Sequence, residues 1–524
     1  MPEPDAAAPH DETDTRTDAT RKTDADLASS AVRRFARATN QVIAGKTFRI
    51  RGTAPALDRL LRDLGARPAA EGHDADLDWF AAVDHDVEPT IALPSRGDAT
   101  GRIDWARRHM TVSGRLAAAL THDGIVRGVR IAIAMVLEPK TAVLALLLRD
   151  AGAEVVVYAH ADETDDEVAE ALRAEGLEVF ADSRATLAGQ RALAVDLLDR
   201  RPAFLLDDGS HVIRLAHEIG HPALDTMVGA AEETTSGLRP LRILARRNEL
   251  AIPVIAVNDA RTKTYFDNRY GTGQSCVFAI LDLLDTLPET PVRAGSRATV
   301  VGFGPVGEGV AQVLAALGLT VTVAETDPVR ALQAVYAGYD VAELAVAASE
   351  SDLIVSATGV RETLSLEVLR AAREGAVVAV AGGVDQEVAL DAAAEAGATR
   401  EPVVPKIGRL TMSGGPTLLL LDDGGCINIT AAEGNPIEIM DLSFAVQLEA
   451  VRMLVDDGST LEPGVHALGP KADRVIATEA LAAWGIAAPG AVAEARAPRG
   501  GDSDGDSADP RTTRFGPLSS ETRS

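Results

Sequence analysis

Apolar and polar positions change their period several times along this chain. From Met1 to about Ser30, Asp, Thr and Ala follow one another with no apolar period, which predicts a disordered tail. From Val32 to Pro94 a small unit emerges. Thr47-Phe48-Arg49-Ile50-Arg51 alternates as a strand does, and Ala56 to Leu64 carries the 3.6-residue period of a helix. The pattern attaches no function to this unit. Val129 to Ala134 is an apolar strand, Lys140 to Asp150 a helix ended by Gly152, and Glu154 to Tyr158 the next strand. Repetition of that unit predicts an α/β fold with parallel, doubly wound sheets. A second sheet opens at Ala298-Thr299-Val300-Val301, and Ala251 to Asp285, between the two, is expected to carry the hinge. Arg499 to Ser524 returns to low complexity.

Composition narrows the function classes. A chain of 524 residues is too long for one ordinary core, so two or more domains are expected. Aromatics at 3%, with Ala and Gly abundant, suit Ala-rich helices packed on parallel sheets and argue against a β-sandwich. Fifty-one basic against 78 acidic side chains leave −27, a charge that repels phosphate backbones and anionic leaflets, so neither nucleic acid nor membrane is an expected partner. Two cysteines, Cys276 and Cys426, cannot make a disulfide framework and point to a reducing compartment. No secretory signal is evident in Met1 to Arg33 and no apolar run approaches the ~20 residues of a membrane helix, so a cytoplasmic location is expected.

Chemistry first shows at Thr299-Val300-Val301-Gly302-Phe303-Gly304-Pro305-Val306-Gly307, a strand leading into Gly-x-Gly-x-x-Gly and an apolar helix. Gly302 permits a tight turn, Gly304 lets the backbone approach a pyrophosphate, and Gly307 lets helix and strand pack closely. Thr320 to Ala324 follows as the second strand and ends at Glu325, where a carboxylate takes ribose hydroxyls and repels a 2′-phosphate. The expected cofactor is NAD.

Further blocks carry a family resemblance: Glu232-Glu233-Thr234-Thr235-Ser236-Gly237, Asn258-Asp259-Ala260-Arg261-Thr262-Lys263, Phe266-Asp267-Asn268-Arg269-Tyr270-Gly271-Thr272-Gly273-Gln274-Ser275, Thr326-Asp327-Pro328 and Gly434-Asn435-Pro436. In these the chain resembles the S-adenosylhomocysteine hydrolases over about Ile103 to Ile486, in the version seen in the archaeal and thermophile branch. The resemblance implies two Rossmann-like domains: a substrate domain over 101–272 and 437–490 and an NAD domain over 273–436. A 31–100 extension and tails at 1–30 and 491–524 flank them.

It also implies a self-contained redox cycle on an adenine nucleoside: oxidation of the 3′-hydroxyl, removal of the C4′ proton, loss of the 5′ substituent, addition of water, and reduction. Lys263 matches the lysine beside the 3′-hydroxyl, Glu233 and Asp267 the carboxylates on the ribose diol, and Asp208 the C4′ base. A lysine so placed is expected to take a proton when its charge is partly desolvated. Glu138, Lys140, Asn268 and Asn435 match substrate-binding positions. Gly302, Gly304, Val306, Gly307, Glu325, Arg330, Thr234, Thr235, Ser236, Asn258, Asn268, Thr358 and Asn428 match cofactor-binding ones. A homo-oligomer, dimer or tetramer, is implied, although the family's C-terminal lysine and tyrosine, which reach a neighbouring subunit's NAD, have no counterpart here.

Three family histidines at the 5′ end and base of the substrate are replaced by Val136, Gly383 and Asn435, and no histidine lies between His221 and His466. Histidine is the natural proton carrier at a leaving group near neutral pH. The reading that follows is an NAD-dependent nucleoside lyase or dehydratase that releases the unsaturated sugar. The alternatives are an ordinary S-adenosylhomocysteine hydrolase, its acid moved to His211 or Glu138, and a catalytically silent NAD-binding regulator. His217-Glu218-Ile219-Gly220-His221 fits a zinc motif in letters, but Gly220 and Pro222 weaken the helix it needs. A helix end with exposed histidines is expected there, and no metal.

Overall fold

A computed structural model describes residues 22–82, 87–383 and 386–487, together with two short strands in the C-terminal segment. The 1–30 tail does not extend as far as Ser30. A helix spans Asp24–Thr39, capped by Thr23 and Asp26 in a reciprocal pair, and buries Leu27, Ala28, Ala31, Val32 and Phe35. Those apolar residues recur at helical spacing, and a tertiary surface exists to receive them. Its Arg33 binds Asp282 and Asp285, the latter at 2.6 Å, on the helix Thr272–Leu284 and just past its end.

Strands β1 (Thr47–Arg51), β2 (Arg67–Pro68), β3 (Leu77–Phe80) and β4 (Thr90–Ile91) form a small sheet in the order β2-β1-β3-β4. Next come β5 (Arg130–Ala134), β6 (Glu154–Tyr158), β7 (Glu178–Phe180), β8 (Phe204–Asp207), β9 (Gly229–Glu232) and β10 (Pro253–Ala256). The nucleotide-domain sheet contains β11 (Arg297–Val301), β12 (Thr320–Ala324), β13 (Asp340–Val341), β14 (Leu353–Ser356), β15 (Val377–Val380), β16 (Thr399–Val404), β17 (Ile407–Thr411) and β18 (Thr417–Leu421). The chain then returns through the helix Ile437–Asp457, and β19 (Gly464–His466) completes the earlier sheet in the order β19-β10-β9-β8-β5-β6-β7.

All pairings of that seven-stranded sheet are parallel. Its strands are apolar on both faces because helices cover both sides. The eight-stranded sheet departs from the all-parallel expectation: β18, β17 and β16 form an antiparallel meander on one edge. Short turns join these three strands, so no crossover helix is available to make them parallel. The 491–524 tail lies outside the described residues apart from an antiparallel pairing of Thr512–Thr513 with Gly516–Pro517. Among the described residues no helix is long and apolar enough to cross a membrane.

Candidate active site

Register builds the site. Ala134, Asp207, Glu232 and Ala256 lie side by side at the C-terminal ends of β5, β8, β9 and β10. The next residue of each strand, Met135, Asp208, Glu233 and Val257, therefore forms a row spaced about 4.8 Å apart. The C-terminal edge of an open parallel sheet is where such folds bind ligands.

A π-helical turn, Thr264–Gly271, stands over this row; such turns reposition side chains that a regular helix would rotate away. It carries Asp267, whose Oδ2 lies 2.7 Å from Lys263 Nζ, and Asn268, whose Oδ1 accepts from the same ammonium at 2.9 Å. Glu233 Oε1 is 3.9 Å from Lys263 Nζ. Lys263, Glu233 and Asp267 are buried. Glu233 also accepts from Ser443 Oγ and, at 2.6 Å, from Gln447 Nε2, both on the returning helix Ile437–Asp457.

The electrostatics corrects one expectation. Burial opposes the Lys263 charge, but Asp267, Glu233 and Asp208 outweigh it and hold the lysine above its ordinary pKa. Lys263 thus rests as an ammonium and not as a poised base. Beside it, burial pushes Glu233 up to about 7 against the pull of Lys263. Asp208 is raised to about 6, by burial first and then Asp267, with Lys263 opposing.

Asn258 Oδ1 accepts from Thr235 Oγ1 (2.9 Å) and Asn268 Nδ2 (3.0 Å), joining the strand-end residues to the π-turn. Asn435 donates to Asp267 Oδ1 at 2.6 Å and accepts from Asn428 Nδ2 at 2.9 Å.

On the nucleotide side, Gly302 has φ +91°, and a Cβ there would meet the Thr358 methyl at 3.0 Å. A Cβ on Gly307 would overlap the Gly302 carbonyl, and one on Gly304 would come within 3.3 Å of Arg330. The helix Pro305–Ala316, with Val306 in its first turn, follows directly. Glu325 accepts from the backbone N–H of Phe303 (2.7 Å), Thr326 (2.7 Å) and Asp327 (2.9 Å). Burial works against its charge, but these donors and Arg330 hold its pKa below the usual carboxylate range. An ionised acid at the end of β12, above a turn that tolerates no side chain, fits an adenosine ribose and its pyrophosphate.

Residues 268–434 match the family described as S-adenosyl-L-homocysteine hydrolase, NAD binding domain. Over 386 residues the chain is 36% identical to an adenosylhomocysteinase of Thermotoga maritima, covering 74% of this chain and 94% of that one. It is 35% identical over 403 residues to an S-inosyl-L-homocysteine hydrolase of Methanopyrus kandleri (76% and 92%), and 36% identical over 395 residues to an adenosylhomocysteinase of Aeropyrum pernix (75% and 94%). The chain belongs to the S-adenosylhomocysteine hydrolase family. Its cofactor is NAD.

Within this hydrolase-family chain several expected site residues also make contacts with other parts of the fold. Glu138 caps the helix Pro139–Asp150 and pairs with Lys140 at 2.7 Å; Lys140 Nζ also donates to the Glu433 carbonyl (2.8 Å) and lies 3.5 Å from Asn40 Oδ1. Both are buried, and the Lys140 ammonium is already committed to Glu138, Glu433 and the end of the N-terminal helix. Neither side chain makes a hydrogen bond or ion pair with the Lys263 cluster. Thr234 is the N-cap of the helix Thr235–Arg246 and donates to Glu232 at 2.6 Å. Ser236 Oγ stands 3.2 Å from where a Cβ on Gly383 would lie, so the two domains close on one another there. Arg239 donates to the Gly359 carbonyl at 2.6 Å, and Thr358 Oγ1 to Glu387 at 3.0 Å.

The histidines after β8 separate. His211 starts the helix His211–Glu218, its Nε2 2.6 Å from the Cβ position of Gly209. His217 Nε2 accepts from the Ala251 N–H at 2.9 Å. His221 is buried, not exposed as expected: Pro222 sets the next turn inward, where His221 Nδ1 accepts from Ala223 and Nε2 lies 3.2 Å from Asp199. Among the described residues no group of three or more His, Cys, Asp or Glu is placed to hold a metal ion.

Sequence reasoning passed over Glu232, which accepts from the backbone N–H of Gly209 (3.0 Å), Ser210 (2.8 Å) and Thr234 (2.9 Å) and so fixes the loop bearing Asp208. It also passed over Ser443 and Gln447. Their signal was available as two polar residues four apart on an otherwise apolar helix face.

Proposed function

We propose that this protein oxidises the 3′-hydroxyl of a purine nucleoside, removes its C4′ proton and expels its 5′ substituent, with an S-nucleosyl-L-homocysteine thioether as the substrate class its named relatives support. The observation that carries this is the buried Lys263–Asp267–Glu233 cluster with Asp208 in register beside it. When bound, NAD accepts and returns a hydride; Gly302, Gly304, Gly307 and Glu325 are the residues to hold it.

Asp267, Glu233 and Asn268 orient the ribose diol. Lys263, an ammonium at rest, relays the 3′-hydroxyl proton by passing its own to Glu233, whose affinity for a proton matches neutral pH. Asp208 then takes the C4′ proton, made acidic by the adjacent carbonyl. Burial keeps bulk water from the resulting carbanion.

A second reading, that the enzyme stops at the 4′,5′-alkene, is favoured by Val136 and Gly383 standing where the family has histidines. Mass analysis after incubation with S-adenosylhomocysteine and with adenosine decides between them. Adenosine and homocysteine from the first support hydrolysis. A product lighter than adenosine by one water supports the second reading. No product and no reduced nicotinamide from either overturns both.

A further inference from the structure

The sheet edge continues past Asp208. Ala134 pairs with Tyr158 on β6 as well as with Asp207 on β8, so Val136, Gly209 and His160 each follow two residues after these paired strand ends. Here, in the half of the site that lost the family's histidines, the fold gathers two others. The His160 and His211 rings meet edge to face, with centroids 4.8 Å apart and planes at 81°. His160 Nδ1 lies 3.2 Å from the Tyr158 phenol and 3.3 Å from Gln190 Oε1. Its other nitrogen, Nε2, is buried with no hydrogen-bond partner. His211 folds back over Gly209, the residue that follows Asp208 in the chain.

We propose that His211, positioned by His160 and through it by Tyr158, is the group that exchanges a proton with the oxygen at C5′. This rests on the oxidation–elimination reading above. In the addition step the water oxygen bonds to C5′ of the enone and one of its protons passes to the neutral His211 imidazole. The C4′=C5′ pair collapses onto C4′, which recovers its proton from Asp208. In reverse, His211 returns the proton to a departing 5′ oxygen as the C5′–O bond breaks and its electrons leave with oxygen.

The surroundings suit a neutral imidazole. Although His211 is exposed, the protein packed around its ring, then His160 and Arg214, push it down to about 4, and Asp162 opposes them. Burial with Glu163, Asp207 and Asp162 keeps the Tyr158 phenol protonated. The exposure of His211 lets water reach it.

The test uses the full-length, NAD-loaded protein with adenosine in D₂O and in H₂¹⁸O. Wild type is expected to form reduced nicotinamide, exchange its C4′ proton for deuterium and take ¹⁸O into the 5′-hydroxyl. His211→Gln is expected to keep the first two signals and lose ~10²–10⁴-fold in ¹⁸O uptake. His160→Phe retains an aromatic edge but removes the ring that depresses His211, so the pH at which ¹⁸O uptake falls on acidification should move upward. A merely structural role would not shift that limb.

Undiminished ¹⁸O uptake in His211→Gln, or an unmoved limb in a folded His160→Phe, overturns the relay alone. A wild-type protein that exchanges C4′ yet accumulates alkene without ¹⁸O also overturns it. Absence of all three signals overturns the functional reading beneath it.

Discussion

Replacing Lys263 with methionine keeps the volume of the side chain and removes its charge from between Asp267 at 2.7 Å and Glu233 at 3.9 Å. Removing one partner of a buried ion pair costs about 3–5 kcal/mol, because the remaining charge is left uncompensated. Here the penalty depends on pH. Glu233 is already raised to about 7 and rises further without the ammonium. A carboxyl whose folded pKa exceeds its unfolded one favours the fold at low pH and loses that contribution as pH rises through the folded value. Lys263→Met should therefore melt below wild type at both pH values, because Asp267 loses its ion pair at either, and further below it near pH 8 than near pH 6, where Glu233 carries a proton. Differential scanning calorimetry at the two pH values, with NAD saturating, measures the difference. In stopped flow, reduced nicotinamide on adding adenosine should form ~10²–10⁴-fold more slowly at every pH. Equal melting deficits at both pH values, or reduced nicotinamide at the wild-type rate, would refute the shared-proton account of this cluster.

Asp208→Asn should still form reduced nicotinamide while losing C4′ deuterium exchange; in wild type that exchange should fall as pH drops through about 6, the value at which the base is protonated. Gly307→Ala forces a Cβ against the Gly302 carbonyl and should leave a folded protein that, unlike wild type, releases no nicotinamide nucleotide on denaturation. Asp441 accepts from the backbone N–H groups of Val112 (2.8 Å) and Ser113 (2.7 Å), so Asp441→Ala leaves buried donors unpaired at about 1–3 kcal/mol, read as a lower melting temperature with NAD content unchanged.

The family could be read from the chain because its signals are local. Gly307 is required by the Gly302 carbonyl a few residues before it, the three glycines keep their short spacing, and Glu325 follows directly on β12. The apolar runs at Arg130–Ala134 and Arg297–Val301 can satisfy their backbone only as covered parallel strands. Other features required the folded chain. No local pattern shows that Lys263 lies among three carboxylates and rests protonated, because Asp208, Glu233 and Asp267 come from separate segments and the pKa depends on their distances and burial. Nor does it show that the Lys140 ammonium is taken up by Glu433 and Asn40, nearly 300 and 100 residues away in sequence. In sequence His160 is a lone histidine after a strand; only the pairing of β6, β5 and β8 puts it against His211. Sequence fixes which groups are present and their local conformation, whereas charge state and proton routes depend on through-space distances, which exist only once the sheet has set its register.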